Sequence, residues 1–175
     1  MSEDLSFPIG KFKSPPSLTD AEWQAAINTM ASQPARFRSA LKGLSEAQLD
    51  SPYRPGGWTV RQRAHHVPDS HMNMYMRFKV ALTEDNPTIK PYDQDAWSTL
   101  ADVRAVPIST SLLLFDALHE RAISVLRSVS VADRARKYVH PENGPTRIDQ
   151  MVALYAWHGD HHIAHVLNLR KREGW

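Results

Sequence analysis

Apolar residues recur at alternating steps of three and four along the first long segment of the chain. This stripe starts just after Thr19 and Glu22, whose spacing is that of a capping box, in which side chains satisfy the free N–H groups of a helix's first turn. The period predicts an amphipathic first helix, kinked at Pro34 because proline lacks the amide hydrogen and its ring clashes with the preceding turn. The members of the stripe are Trp23, Ile27, Met30, Pro34, Phe37, Leu41 and Leu44.

Two further segments show the same helical period. Thr59 and Gln62 form a second capping box, which opens a predicted second helix that runs to about Leu82. A third helix is predicted over about residues 110–129, where apolar residues again recur every three or four positions.

The last long segment predicts a fourth helix. It is expected to begin at a capping box of Thr146 with Asp149 and to end near Arg172. The preceding residues, 138–146, are rich in turn formers and are predicted to be a loop. No segment shows the clear two-residue alternation of a β-strand.

Four long amphipathic segments predict an all-α fold, a four-helix bundle. The connections exceed ten residues, so the order of the helices around the bundle stays open. A length of 175 residues favours a single domain over residues 1–175. Residues 1–18 contain several prolines and a few apolar side chains, so we expect an extended arm laid across the bundle or across a partner subunit.

Composition excludes several classes of protein. Lys and Arg number 21 against 19 Asp and Glu, a surplus too small and too dispersed for a nucleic-acid-binding surface. The chain has no cysteine, which excludes disulfides, thiolate metal sites and a cysteine nucleophile. The N-terminal residues resemble no signal peptide, and no stretch approaches 18 uninterrupted apolar residues. We therefore expect a cytoplasmic protein with no membrane and no nucleic-acid partner.

The nine histidines are clustered, and most of them fall on two predicted helices. On the fourth helix His158 and His162 are four residues apart, which places both rings on one face, as in helices that offer two nitrogen ligands to one metal ion. His161 and His165 form a second such pair, rotated around the helix, and spacing alone does not choose between the pairs. Imidazoles thus replace apolar residues in a buried stripe, which reads Ile148, Met151, Tyr155, His158, His162, His165 and Leu169.

A third ligand has to come from another element, and the second helix offers His65, His66 and His71. His66 begins a polar stripe beside the apolar line, where a cavity could open; the stripe continues through Ser70, Asn73 and Arg77. His65 lies on the far side of this helix and is predicted to be a surface residue. The alternative to a metal site is a set of hydrogen-bonded core histidines, since buried polar groups are normally paired. Four histidines on one helix make the metal site the better hypothesis.

The sequence resembles the YfiT-like branch of the DinB superfamily. The resemblance covers nearly the whole chain, and its motifs include FPIGKFK (7–13), DSPYRPGGWTVRQ (50–62), KPYDQDAW (90–97), YVHPENG (138–144) and LYAWHGDHHIAH (154–165). It implies a four-helix bundle, a homodimer, and one zinc or nickel ion per subunit held by three histidines and water. Matched by motif, the ligands are His66, His158 and His162. The chain departs from the usual pattern at Arg63, Ala64 and Pro68, so the geometry around His66 is open.

The resemblance and the three-histidine set predict a metal-dependent hydrolase that acts on a small molecule. A metal with three protein ligands keeps an open position at which it can activate water. His161 or His165 could move the proton, and Arg77 could contact an anionic substrate. The first alternative is a metal-dependent S-transferase that activates a low-molecular-weight thiol such as bacillithiol. The second is a metal-binding dimer with no enzymatic activity.

Overall fold

Four long helices form the body of the protein, whose computed structural model describes residues 5–175. They are α1 (Asp20–Leu41), α3 (Val60–Thr83), α6 (Ile108–Ser128) and α7 (Ile148–Glu173). The connections carry short helices, which are α2 (Glu46–Leu49), α4 (Gln94–Trp97), α5 (Asp102–Ala105) and a single 3₁₀ turn (Asp133–Ala135). The predicted four-helix bundle is confirmed. No helix in the described part of the chain is both long and apolar enough to cross a membrane.

The helix starts follow the predicted capping chemistry in two cases out of three. Thr19 and Thr59 are the N-caps of α1 and α3, and each forms its capping box with the residue three positions on. The predicted box of Thr146 with Asp149 is wrong. Arg147 is the N-cap of α7, and the Gln150 side chain accepts a hydrogen bond from its backbone N–H. Thr146 instead belongs to a strand, so its backbone is committed to a ladder before the helix begins.

The predicted loop before α7 is a β-hairpin. Strand β1 (Lys137–His140) pairs antiparallel with β2 (Gly144–Arg147), in register from Lys137 opposite Arg147 to His140 opposite Gly144. The turn requires a residue with positive φ, and Gly144, at φ 74°, supplies it. With only four residues per strand, the hairpin is too short for its alternation to stand out in the sequence.

The helices are not arranged in chain order around the bundle. α1 packs against α6 and α7, and α3 packs against the same two helices. The consecutive long helices α1 and α3 are therefore diagonal to each other, as are α6 and α7. Because α3 and α7 are neighbours, histidines on their facing sides can meet.

The core consists of two apolar clusters separated by a polar layer. One cluster surrounds Trp23, Met30, Phe78 and Met151, and the other surrounds Phe37, Val60, Phe115 and Leu169. Between the clusters each long helix contributes at least one polar side chain: Gln33 from α1, His71 from α3, His119 from α6 and His158 from α7. The candidate site lies beside this polar layer.

The N-terminal arm lies across α7 of its own chain. The indole N–H of Trp157 donates to the carbonyl of Gly10 at 3.2 Å, and the amide of Gln150 donates to that of Pro15 at 3.0 Å. Phe12 packs on Trp157 with the ring centroids 5.8 Å apart. Of the two predicted positions for the arm, this is the one across the bundle.

Candidate metal centre

Three histidines from two neighbouring helices converge beside the polar layer. His66 comes from α3, while His158 and His162 come one turn apart from α7. One nitrogen of each can be chosen so that all three lie within 4.8 Å of one another. The ring centroid of His162 lies 4.4 Å from that of His158 and 5.1 Å from that of His66. This is a compact set of three nitrogen ligands for one ion.

The three histidines line a pocket of about 490 Å³. Trp58 covers one side and contacts the His66 ring edge-on at 4.7 Å. The N-terminal arm forms part of the pocket wall, because Ser6 and Phe7 also line the pocket. Such a pocket has room for a small molecule. Its other polar and aromatic lining residues include Tyr53, Arg54, Arg63, Trp157, His161 and His165.

A chain of hydrogen bonds fixes the ring orientation of His158. Nδ1 of His119 lies 2.8 Å from the carbonyl oxygen of Met30, which can only accept, so His119 donates there. Nε2 of His119 then accepts from Nδ1 of His71 at 2.8 Å, and Nε2 of His71 accepts from Nδ1 of His158 at 3.3 Å. In neutral imidazoles only one nitrogen carries a proton. Nε2 of His158 therefore carries a lone pair, which faces the site.

His162 is held in the opposite tautomer. A guanidinium can only donate, and Nη1 of Arg63 donates to Nδ1 of His162 at 2.6 Å. The proton of His162 therefore sits on Nε2, which lies 3.1 Å from Nε2 of His158 and donates to it. This hydrogen bond occupies the position between the two rings that a shared metal ion would take.

Burial keeps the three candidate ligands neutral. It lowers the pKa of His66 to about 3 and those of His158 and His162 well below the usual 6.5, with repulsion from nearby charged groups adding to the effect. Burial also lowers the pKa of Arg63 to about 10, which leaves this residue a cation at neutral pH. Neutral imidazoles are the form that binds metal ions.

The donor set fits a divalent transition metal. Nε2 of His158 already presents a lone pair, and His66 makes no hydrogen bond within the described residues. His162 needs one change: its proton has to move from Nε2 to Nδ1. Nδ1–H of His162 would then be a donor, and the guanidinium of Arg63 cannot accept a hydrogen bond from it. Arg63 therefore has to turn away from His162.

The structure places two of the three candidate catalytic residues in this pocket. His161 stacks on Trp157 at 4.4 Å, and His165 hydrogen-bonds through Nε2 to the Ser6 carbonyl at 3.2 Å. Nδ1 of each ring is buried and unpaired within the described residues. Burial lowers the pKa of His161 to about 4 and that of His165 to about 3.

Arg77, the third candidate, lies elsewhere. It does not line the pocket and instead lies near Tyr155 and near Tyr138 of the hairpin. A catalytic part for Arg77 stays a prediction, and it would require a substrate that extends beyond this pocket.

The prediction that His65 is a surface residue is wrong. Its side chain is 4 % exposed, and Nδ1 lies 2.8 Å from the hydroxyl of Ser111. The face of α3 that carries His65 packs against α6, a contact that the period of α3 alone does not reveal. His65 and His66 point to different neighbours, and only His66 joins the cluster.

Sequence reasoning missed several residues that shape the site. His119 is a lone histidine in an apolar segment, and nothing in its spacing connects it to His71. Tyr53, whose ring lies 3.7 Å below the guanidinium of Arg63, comes from a loop. The one available signal was Arg63 itself, a charged residue at a position where the sequence departs from the pattern of the family that it resembles.

Comparison with known proteins identifies a matching family model and several similar proteins. The family model described as the DinB superfamily matches residues 29–166. A protein of Bacillus cereus (strain B4264) named "Putative metal-dependent hydrolase" is 47 % identical over 172 residues, which are 98 % of this chain and 99 % of that protein. A protein of the same name from Bacillus mycoides (strain KBAB4) is 46 % identical over 173 residues, which are 99 % of each chain.

Two solved structures share the fold. YfiT from Bacillus subtilis, described as "a probable metal-dependent hydrolase with an unusual four-helix bundle topology", superposes with a TM-score of 0.95 at 42 % identity, covering 98 % of each chain. TT2238, described as a four-helix bundle protein, superposes with a TM-score of 0.57 at 18 % identity, over 87 % of this chain and 99 % of the other. The second likeness concerns the fold alone.

Proposed function

The chain belongs to the DinB superfamily, and we propose that it is a metal-dependent hydrolase whose single divalent ion, zinc or nickel, is held by His66, His158 and His162. The observation that carries the proposal is the convergence of three neutral imidazoles, within 4.8 Å of one another, on a pocket large enough for a small molecule. Imidazole nitrogens suit both ions, and the relatives named as metal-dependent hydrolases span the same length.

An ion with three protein ligands supplies a coordination position for water and lowers the pKa of that water towards neutrality. The protein's own groups hold and enclose the site. The hydrogen-bond chain from Met30 through His119 and His71 keeps the His158 ring in one orientation. Trp58 and the N-terminal arm form part of the pocket wall.

Of the two candidate proton shuttles, His165 is the one whose tautomer the described residues fix. Because its Nε2–H donates to the Ser6 carbonyl, the lone pair is on Nδ1, which makes no hydrogen bond within the described residues. Within residues 5–175 the Nδ1 of His161 is unpaired as well, but no hydrogen bond through its other nitrogen fixes its tautomer. Replacing His165 with Asn should lower turnover while zinc binding persists.

Removal of a ligand tests the metal site. Replacing His66, His158 or His162 with Ala should abolish stoichiometric zinc binding in isothermal titration, because two imidazoles compete poorly with water for the ion. His65→Ala is the matched control: it removes the adjacent histidine, which hydrogen-bonds to Ser111 instead, and should retain the metal. Far-ultraviolet circular dichroism checks that each variant is helical. Loss of zinc in His65→Ala alone would refute the assignment.

Turnover distinguishes the reaction classes. The zinc- or nickel-loaded protein should hydrolyse members of an ester and amide panel without any further reactant. A protein that is inert until a small thiol and an electrophile are both supplied would instead be a thiol S-transferase. One that does neither would be a metal-binding protein without enzymatic activity. A cytoplasmic location stays a prediction from the sequence.

A further inference from the structure

Arg63 is a buried cation that has no carboxylate partner among residues 5–175. The residue is 4 % exposed, and within residues 5–175 it forms no ion pair and its Nε is buried without a hydrogen bond. Arg61, two residues earlier on α3, is buried to a similar extent but lies 2.6 Å from a Glu46 oxygen and 2.7 Å from an Asp50 oxygen. Burial of an unpaired charge is costly, so an arginine kept in this state calls for an anion from outside the chain.

The surroundings of Arg63 are positive. The only acidic residue among the described residues that line the pocket is Asp95, which is exposed, whereas Arg54 lines the pocket beside Arg63. The three candidate metal ligands are neutral, so a bound divalent ion would keep its full charge. A small anion is the ligand that this balance of charge favours.

Metal binding would leave Arg63 without its present acceptor. Once the ion takes Nε2 of His162, Nδ1 carries the proton, and Arg63 and Nδ1–H become two donors facing each other. Both need an acceptor, and the described residues offer no carboxylate there. An anion in the pocket could accept from both groups. Two parallel N–H donors of a guanidinium also match the geometry of a carboxylate or phosphate.

We propose that Arg63 is the anion-binding residue of the pocket and that the substrate carries a carboxylate or phosphate group beside the bond that is cleaved. Trp58, Trp157 and Tyr53 line the same pocket and suit a flat apolar portion of that molecule. Only the word "substrate" rests on the proposed hydrolase function. Anion binding by Arg63 stands on the buried guanidinium, which has no carboxylate partner among residues 5–175, and can be measured without turnover.

The test uses metal-free protein titrated with benzoate and with benzamide, which have nearly the same shape but differ in charge. Without the metal neither probe should be turned over, so failure of the hydrolase proposal leaves the result intact. Benzoate should bind at least tenfold more tightly than benzamide by isothermal titration. Arg63→Met should lower the affinity for benzoate to that for benzamide. Arg127→Met, which changes the net charge equally at an exposed position of α6, should leave it unchanged. Phenyl phosphate in a parallel titration tells whether phosphate or carboxylate is preferred.

The NMR signal of the Arg63 Nε–H group gives a second readout in the unaltered protein. It should shift with benzoate and stay in place with benzamide, which keeps the test valid if Arg63→Met fails to fold. Arg63→Lys, which retains charge but loses the planar pair of donors, should bind benzoate with intermediate affinity. Equal affinity for the two probes, no benzoate binding, or unchanged benzoate binding in Arg63→Met would each overturn the proposal.

Discussion

A single acceptor group decides which nitrogen of His158 is available to a metal ion. The carbonyl of Met30 sets the tautomer of His119, and through it those of His71 and His158. Met30, His71, His119 and His158 are all far apart in the sequence. His71 and His119 are positioning residues, since they act on the metal site through His158.

Replacing His119 with Phe should weaken zinc binding by about 10- to 100-fold, the usual cost of losing a partner behind a metal-ligating histidine. His71 would then be free to adopt either tautomer, and the orientation of His158 would no longer be fixed. Competition with a chromophoric chelator measures the affinity, and ¹⁵N NMR of the histidine rings reports the tautomers.

His119→Gln serves as the conservative control for this prediction. Its amide can donate to the Met30 carbonyl and accept from His71, so zinc affinity and the His71 tautomer should both be largely kept. Equal zinc affinity in His119→Phe and the unaltered protein would show that the hydrogen-bond chain does not position His158.

At the scale of elements, the approach of α7 to α1 depends on a glycine in the middle of the histidine motif. A Cβ atom at Gly159 would lie 2.3 Å from the side chain of Gln33. Gln33 has little freedom to move, because it is fully buried and its amide nitrogen lies 2.8 Å from the Ala156 carbonyl. The glycine therefore allows α1 to approach the turn that carries His158.

Gly159→Ala should destabilise the protein by about 1 kcal/mol, because overpacking costs about 1–3 kcal/mol and the better helix propensity of alanine returns about 1. Urea unfolding measures the change. In a Gln33→Ala background the clash is gone, and the same substitution should be neutral or stabilising. If it destabilises both backgrounds equally, contact with Gln33 is not the cause.

At the scale of the whole molecule, the buried histidines tie stability to pH. Burial lowers the pKa of His66 to about 3 and that of His119 to about 4, whereas in the unfolded chain both have pKa values near 6.5. Between these values the unfolded chain binds more protons than the folded one. Each such histidine therefore contributes fully to the free energy of unfolding above about pH 6.5, and this contribution is lost as the pH falls.

The metal-free protein should lose stability steeply below about pH 6.5, by up to about 1.4 kcal/mol per pH unit for each buried histidine. Since domains are stable by only about 5–15 kcal/mol, acid unfolding is expected near pH 5. Circular dichroism across pH 4–8, combined with urea unfolding, measures the slope. Excess zinc should move the transition to lower pH, because the metal competes with protons. A flat profile from pH 6.5 to 5 would contradict the effect of burial.

The homodimer implied by the family resemblance stays a prediction. Within the arm, Phe12 packs on the chain's own α7, while Ile9 is 45 % exposed and available to a partner. Light scattering at micromolar concentration should give about twice the chain mass of 19.8 kDa. A mass near 20 kDa would exclude the dimer.

The sequence alone was enough to predict the four long helices and a pair of histidines on one face of the last of them. Helical periodicity located the four long helices, because one face of each has to be buried. The four-residue spacing of His158 and His162 followed from helix geometry alone, and so did the prediction that they could share an ion. These inferences succeed because they depend on neighbours within a single helix.

Which residues meet across helices could be seen only in the folded chain. The diagonal order of the helices, the burial of His65 against α6 and the link from His119 to His71 all depend on contacts between segments far apart in the chain. The same holds for the state of Arg63: its lack of a carboxylate partner is a property of everything packed around it. Periodicity reports which face of a helix is buried, but the identity of the partner on that face comes from the packing.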